Sequence, residues 1–132
     1  MKHSHILAAA VLLGASALSF AQSNVMPGLT RTDVLRHDVS VDGREVIQVR
    51  VGFEHGSAAA YHSHPGEEIA YVLEGTMEYQ FQGQQPVILN AGEALFIPAG
   101  TKHSARNIGD GRAIELATYF VEQSKPLVVP AQ

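Results

Sequence analysis

Apolar and polar residues alternate along much of this chain with the two-residue period of β-strands. In residues 34–41, polar and charged side chains occupy every second position, which predicts a half-buried strand. Asp42-Gly43 follows and predicts a tight hairpin, because both central residues of such a turn adopt positive φ. The second strand of this hairpin is predicted at residues 45–54, with its aliphatic side chains on one face.

The remaining predicted strands are short and are separated by turn residues. Residues 69–73 are apolar throughout, as in a strand that is covered on both faces. Further strands are predicted at residues 77–82, 86–89, 94–97, 103–108 and 113–121. Strand-length segments at intervals of roughly ten residues, without an amphipathic helical stretch, predict an all-β sandwich or barrel.

The first 21 residues have the features of a secretory signal peptide. Lys2 provides a positive start, residues 6–20 are almost wholly apolar, and Ala21 is a small residue at the expected cleavage point. An uncleaved anchor or a buried helix is the alternative, although the apolar run is short for a membrane span. We therefore expect a periplasmic or secreted protein that begins at Gln22 and has no membrane attachment after cleavage.

The rest of the chain divides into three segments. Residues 22–32 lack periodicity and are predicted to be an extended lead-in, while residues 33–124 hold the predicted strands of a single β-domain. Residues 125–132 carry two prolines and are predicted to be an extended arm or a ragged end. The length of 132 residues and the apolar content of 45% fit one globular domain.

Charge and cysteine content exclude several classes of function. The formal net charge is −4, and no cluster of Lys or Arg is present, so we expect no nucleic-acid partner. The chain has no cysteine, which excludes disulfides, thiolate nucleophiles and thiolate metal ligands.

The candidate chemistry lies in the middle of the chain. His62 and His64 are two residues apart, so both imidazoles point to the same face of a strand. Pro65-Gly66 turns the chain after them, Glu68 begins the next strand, and His103 begins a later one. Three imidazoles and one carboxylate suit a divalent transition metal (Mn, Fe, Ni, Cu or Zn) better than Ca or Mg, which prefer oxygen ligands alone.

Residues 56–75 match the pattern G-x5-H-x-H-x3-E-x6-G, and residues 92–107 match G-x5-P-x-G-x2-H-x3-N, each at every defined position. In these two motifs the chain resembles the small single-domain cupins of the cupin type 2 family. The resemblance implies a small antiparallel jelly-roll β-barrel with a metal ion inside. It also implies that His62, His64, Glu68 and His103 are the metal ligands, that the motif glycines shape turns, and that the protein forms a homodimer.

Several other side chains are candidates for the wall of such a pocket. Five apolar or aromatic residues are predicted to be pocket wall or core, namely Tyr61, Met77, Tyr79, Phe96 and Phe120. Lys102 and Arg106 could attract an anionic substrate or form a solvated rim. His37 and His55 are expected to be hydrogen-bonded structural histidines, and Glu67 is expected to face solvent.

The leading hypothesis for function is an exported, metal-dependent oxidoreductase of dioxygenase-like chemistry that acts on a small oxygen-rich molecule. Glu68 is the candidate catalytic residue, which would leave the metal and serve as general base. The alternative is a cupin module that binds a small ligand or a metal without catalysis, because a fold and a site do not determine a reaction. A sugar isomerase or epimerase is a weaker hypothesis, since the sequence lacks the basic cluster that would bind a sugar phosphate.

Overall fold

The computed structural model describes residues 26–132, which form two antiparallel five-stranded sheets. The strands are β1 Leu29–Asp38, β2 Arg44–Phe53, β3 Ala58–Ser63, β4 Gly66–Glu74, β5 Thr76–Phe81, β6 Val87–Asn90, β7 Ala94–Ile97, β8 His103–Asn107, β9 Ala113–Glu122 and β10 Val129–Pro130. The first sheet has the order β1-β2-β9-β4-β7, and the second has the order β10-β3-β8-β5-β6. The predicted all-β jelly-roll is confirmed. Within residues 26–132, no helix has the length and apolar character needed to cross a membrane.

The core lies between the inner faces of the two sheets. The predicted alternation of β2 is confirmed, because Ile47, Val49, Val51 and Phe53 are buried on one face. The second sheet contributes the inward side chains of β5, including Met77. Side chains from both sheets thus pack against each other in one apolar layer, which stabilises the sandwich by burial of apolar surface.

The first strand differs from its prediction in both position and burial. β1 begins at Leu29 and ends at Asp38, so residues 29–32 of the predicted lead-in belong to it and residues 39–41 do not. The chain then turns through residues 39–43, where Gly43 has a φ of 74° and Asp42 is not among the residues with positive φ. The predicted two-residue hairpin is therefore wrong in detail, because the connection is longer.

β1 is almost wholly exposed instead of half-buried. It is an edge strand that pairs only with β2, and its register shifts between Asp33 and Leu35. Its inward side chains Leu29 and Asp33 line an open cavity, and Leu29 also packs against the edge of the core. Sequence alternation shows which residues share a face, but it does not show whether that face is covered.

The C-terminal tail forms an edge strand of the second sheet. Val129 pairs with Ser63 and Pro130 with His62, so β10 extends the second sheet next to β3. The amide of Ala131 also donates a hydrogen bond to the carbonyl of Tyr61 at 3.0 Å. Residues 125–132 are predicted to be an extended arm or a ragged end. The structure shows an arm that pairs with β3 of its own chain. The predicted signal peptide, residues 1–21, lies outside the described residues.

Candidate metal centre

Three histidines, two from neighbouring strands and one from the turn after β3, meet at the inner face of the second sheet. His62 in β3 lies directly opposite His103 in β8, and His64 follows β3 immediately. The ring centroids of His62 and His103 are 4.4 Å apart, and that of His64 lies 4.8 Å from His62 and 5.4 Å from His103. One ring nitrogen from each histidine lies within 4.8 Å of the other two, which is the spacing of a three-imidazole metal site.

Glu68 reaches the same point from the first sheet. Its Oε2 atom lies 3.0 Å from Nε2 of His64 and 3.3 Å from Nε2 of His103. The residue sits in β4 opposite Tyr119 of β9, and only 3% of it is exposed. The structure therefore brings together all four side chains that the sequence pattern singled out.

Hydrogen bonds orient all three imidazoles in the same sense. Nδ1 of His62 lies 2.7 Å from the carbonyl of Ala60, and Nδ1 of His103 lies 2.9 Å from that of Thr101. Nδ1 of His64 lies 2.6 Å from the carbonyl of Leu127, in the C-terminal arm. A carbonyl only accepts, so each Nδ1 carries the proton and each Nε2 keeps its lone pair facing the centre.

Two buried polar atoms at this point have no hydrogen-bond partner, namely Nε2 of His64 and Oε2 of Glu68. Burying unpaired polar atoms is costly, and native proteins rarely do so without a ligand. A cation held between them would satisfy both atoms at once. The donor set of three nitrogens and one carboxylate oxygen fits a divalent transition metal.

The surroundings favour the metal-binding protonation states of His62 and Glu68, whereas in the metal-free protein His103 is biased towards its protonated form. Burial is the main reason that the pKa of His62 falls to about 4, so its imidazole is neutral at pH 7. Burial alone would raise the pKa of Glu68, but contact with the rings of His103 and His64 lowers it to about 2. Burial likewise opposes charge on His103, yet the contact with Glu68 raises its pKa. A neutral imidazole and an ionised carboxylate are the ligand forms.

Motif residues without a chemical role hold the strands around the site. Gly75 turns the chain between β4 and β5 with a φ of 80°, and an added Cβ would lie 2.8 Å from Ala113. The side-chain amide of Asn107 donates to the carbonyls of Phe53 and Gly111 at 3.1 and 2.7 Å. Asn107 thus ties β8 to the end of β2 and to the loop before β9.

A cavity of about 640 Å³ opens next to the histidines, between the two sheets. His62 and Glu68 lie in its wall. Four further polar residues that line it were missed by the sequence analysis: Arg31, Asp33, Glu115 and Tyr119. They belong to no motif, although Glu115 interrupts an apolar strand on the same face as Ala117 and Tyr119. A carboxylate at an inward position of a buried strand is the signal that could have identified it.

Glu115 is a buried carboxyl group, exposed by 4%, and its Oε2 accepts a hydrogen bond from the hydroxyl of Tyr79. Burial and the charge of Glu68 raise the pKa of Glu115 to about 7, although the Tyr79 hydrogen bond acts in the other direction. The pKa of Tyr79 is raised as well, by burial and by Glu115, so Tyr79 stays protonated. The cavity therefore holds a second carboxyl group whose pKa lies near neutrality.

The prediction of a pocket wall or core position is wrong for three of the five residues. Tyr61, Phe96 and Phe120 are 40%, 59% and 40% exposed. Each is next to an inward-facing neighbour, and alternate side chains of a strand point to opposite faces. Met77 and Tyr79 are buried in the core but are not among the residues that line the cavity.

The remaining polar candidates lie away from the cavity. Nδ1 of His55 lies 2.7 Å from the carbonyl of Gly109, and Nδ1 of His37 lies 2.6 Å from that of Asp38. Both are hydrogen-bonded histidines outside the cluster, as expected. Lys102 and Arg106 are exposed and do not line the cavity, which is the geometry of a solvated rim.

Comparison with known sequences identifies a protein family that matches this chain. The family model described as a Cupin domain matches residues 49–119. Among curated proteins, the dimethylsulfoniopropionate lyase DddQ of Ruegeria pomeroyi is 39% identical over 46 residues, which are 35% of this chain and 23% of that protein. The chain covers less than half the length of the curated relatives that it matches.

Solved structures give the same result. A cupin-like protein from Thermotoga maritima superimposes with a TM-score of 0.65 at 23% identity, over 78% of this chain and 75% of that one, which shows the shared fold. An oxalate oxidase in complex with glycolate gives a TM-score of 0.64 at 26% identity, over 81% of this chain and 57% of that one.

Proposed function

This chain belongs to the cupin family, and on that premise we propose that it is a metal-dependent oxidoreductase of dioxygenase-like chemistry acting on a small oxygen-rich molecule. One observation carries the proposal. The Nε2 lone pairs of three histidines and the carboxylate of Glu68 converge beside a cavity large enough for a small molecule, and His62 and Glu68 lie in its wall.

His62, His64, His103 and Glu68 are the proposed ligands of a divalent ion, which is Mn, Fe, Ni, Cu or Zn. When bound, the ion supplies a Lewis acid and, for Fe or Mn, a centre that engages dioxygen. The protein holds the ligand nitrogens in place through the carbonyls bonded to Nδ1. The apolar side chains of the cavity, such as Val51 and Phe53, exclude water from a bound molecule.

The names of the relatives support this class of substrate. One solved relative is an oxalate oxidase with glycolate bound, and one curated relative is a lyase of dimethylsulfoniopropionate. Oxalate, glycolate and dimethylsulfoniopropionate are all small and carry a carboxylate.

Two carboxyl groups in the cavity are candidates for proton transfer. Glu68 was the sequence-based candidate for general base and also contacts two of the histidines. Glu115 has a pKa of about 7, and only its Oε2 is engaged by Tyr79, so Oε1 is left for a bound molecule. Since proton transfer is most effective when the pKa of the group lies near the working pH, we propose Glu115 as the second candidate.

A pair of variants separates these roles. Glu68→Gln and Glu115→Gln each remove one ionisable carboxyl group with little change of shape. We expect the variant of the proton-transferring residue to retain most of its metal and lose turnover by about a hundredfold or more. Equal loss of metal and of turnover in one variant would instead identify that residue as a ligand only.

We also propose that the protein is exported and acquires its metal outside the cytoplasm. Cu and Zn bind nitrogen-rich sites more tightly than Mn or Fe, so the metals that compete for the site at the place of loading affect which ion is bound. Metal analysis of protein purified from the periplasm and from cytoplasmic expression should therefore give different ions. Identical ions in both preparations would contradict this part of the proposal.

The function is tested by oxygen uptake. Protein loaded with Fe or Mn is incubated with enolic compounds, flavonoids or oxalate, and consumption of dioxygen is measured. His103→Ala should lose both metal and uptake, while His55→Ala, which changes a histidine outside the cluster, should keep both. Ligand-induced thermal stabilisation without consumption of any compound would overturn the proposal in favour of a non-catalytic binding module.

A further inference from the structure

The cavity beside the histidines contains one cationic side chain among the residues that line it, Arg31 of β1. We propose that Arg31 binds the carboxylate of a small acid whose other end reaches the metal centre. This inference rests on the proposed function, because it assumes that the histidine cluster holds a metal. It assigns a substrate class to the cavity: short organic acids with a second oxygen donor, such as dicarboxylates.

Strand register places Arg31 on the inward face of β1, next to the cavity. Leu29, Arg31 and Asp33 occupy alternate inward positions of β1. Arg31 is paired with Val51, which in turn is paired with Glu115, so these three residues form a row across the first sheet. Neighbouring strands are about 4.8 Å apart, so Arg31 begins about 10 Å from Glu115 along this row. An arginine side chain that extends inward from that position crosses the mouth of the cavity.

The electrostatic influence of Arg31 on its neighbours agrees with this orientation. Burial raises the pKa of Glu115, and the charge of Arg31 opposes that rise. Burial also raises the pKa of Tyr119, and the charge of Arg31 and contact with its guanidinium oppose that rise. The guanidinium is therefore close to Tyr119, whose backbone lies opposite Glu68. Arg31 and the metal centre thus face the same space from different sides.

The charge of Arg31 is not neutralised by an ion pair in the part of the chain that the structure describes. The arginine-carboxylate pair found there joins Arg36 and Glu45, at 3.4 Å, on the same strand pair. Asp33 lines the same cavity but makes no such contact with Arg31. A guanidinium without a carboxylate partner, at the mouth of a cavity, is suited to a two-pronged hydrogen bond with the carboxylate of a ligand.

The lining between the two poles is mostly apolar and includes Leu29, Val51, Phe53 and Val128. Such a wall accepts the hydrocarbon part of a short acid and leaves its polar ends for Arg31 and the metal. A neutral ligand would not pair with the positive charge of Arg31, which is exposed to solvent in the free protein. We therefore expect a preference for acids over their amides.

The test compares succinate with succinamide, in which both carboxylates are replaced by neutral amides. Dissociation constants are measured by calorimetry with Mn-loaded protein. The wild type should bind succinate about tenfold or more tightly than succinamide, and Arg31→Gln should reduce this preference by weakening succinate alone. Arg31→Lys should retain part of the preference, because it keeps the charge but not the planar fork. Arg36→Gln, which changes an arginine of the same strand that is paired with Glu45 and does not line this cavity, is the matched control and should bind like the wild type.

Failure of this inference can be distinguished from failure of the proposed function. If the protein binds no metal, the proposed function fails and this inference fails with it. If metal is bound, three results would overturn the inference alone. They are unchanged binding of succinate by Arg31→Gln, an equal loss in Arg36→Gln, and no binding of succinate by the wild type at millimolar concentration.

Discussion

Two carboxyl groups in one cavity, Glu68 and Glu115, have pKa values on opposite sides of the usual range. Contact with two histidines brings that of Glu68 to about 2 despite burial, whereas burial brings that of Glu115 to about 7. Carboxyl groups whose pKa values diverge in this way commonly have different roles in a site. The metal ligand is expected to be Glu68, and the group that gains and loses a proton near neutral pH is expected to be Glu115.

The raised pKa of Glu115 predicts a pH-dependent stability of metal-free protein. The pKa is about 7 in the folded state against an ordinary value of 4.5 for a glutamate side chain, so the folded state holds this proton more tightly. Stability is therefore lost as pH rises through the window between these values. Glu115→Gln cannot ionise, so relative to the wild type it should be more stable at pH 8 by about 1–3 kcal/mol and nearly equal at pH 4.5.

Urea unfolding of chelator-treated wild type and Glu115→Gln at pH 4.5, 6 and 8 measures this difference. The comparison between the two proteins removes the contribution of other groups that titrate in the same window. A gap in unfolding free energy that stays constant with pH would show that Glu115 is not a buried carboxyl group of raised pKa.

At the scale of single elements, the turn between β3 and β4 positions the site. Gly66 is the first residue of β4 and pairs with Val121 of β9. A Cβ at this position would lie 1.9 Å from the carbonyl oxygen of Phe120 and 2.7 Å from Cα of Val121, both backbone atoms. Glycine at residue 66 therefore allows β4 to approach β9 closely, which sets the position of Glu68 two residues later.

Gly66→Ala should consequently destabilise the protein by about 2–3 kcal/mol and weaken metal binding, because β4 must move away from β9. Gly111→Ala is the matched control, since an added Cβ there meets no atom within 4 Å. Urea unfolding and metal titration measure the two effects. Equal behaviour of both variants would show that the close contact at Gly66 does not position the site.

The C-terminal arm is a second element that acts on the metal centre. The carbonyl of Leu127 accepts the hydrogen bond from Nδ1 of His64, and β10 pairs beside His62. Deletion of residues 126–132 should therefore raise the dissociation constant for metal by about 10- to 100-fold, the usual effect of losing a group that orients a ligand. Deletion of Gln132 alone should have little effect, because that residue is exposed.

Metal affinity of the two truncated proteins is measured by competition with a chelator, at a temperature where circular dichroism shows that both are folded. A truncated protein that is folded and binds metal as tightly as the full chain would show that the arm plays no part in orienting His64.

At the scale of the whole molecule, the metal centre joins the two sheets. His62 and His103 belong to the second sheet and Glu68 to the first, so a bound ion would connect both layers of the sandwich. The unfolded chain does not hold these four side chains together, and binding of metal to the folded state alone therefore stabilises the fold.

Removal of metal should lower the melting temperature. At a free metal concentration of about a hundred times the dissociation constant, binding contributes about 2.7 kcal/mol. This corresponds to a shift of roughly 10 °C for a domain of this size. Thermal melts with and without a chelator measure it, and His103→Ala should show little response to the chelator. A wild-type melting temperature that does not change after verified removal of the metal would contradict the proposed site.

The sequence by itself determined the class of fold and the candidate ligands. Alternation with a period of two depends only on the order of residues along one strand, so the core positions of β2 and β5 could be predicted from it. The two motifs also singled out His62, His64, Glu68 and His103, because their spacing is local within each motif. None of this required knowledge of which strands are neighbours.

Only the tertiary structure decided what surrounds those four residues. Strand pairing over long sequence distances brings Arg31 and Glu115 to one cavity, and it leaves β1 at an edge, where its inward face is open. The same pairing turned Phe96 and Phe120 outward, against the prediction from their hydrophobicity. Whether an inward face meets a packed core, a cavity or solvent depends on the partner strand and the opposite sheet. A local pattern of residues carries no information about either of them.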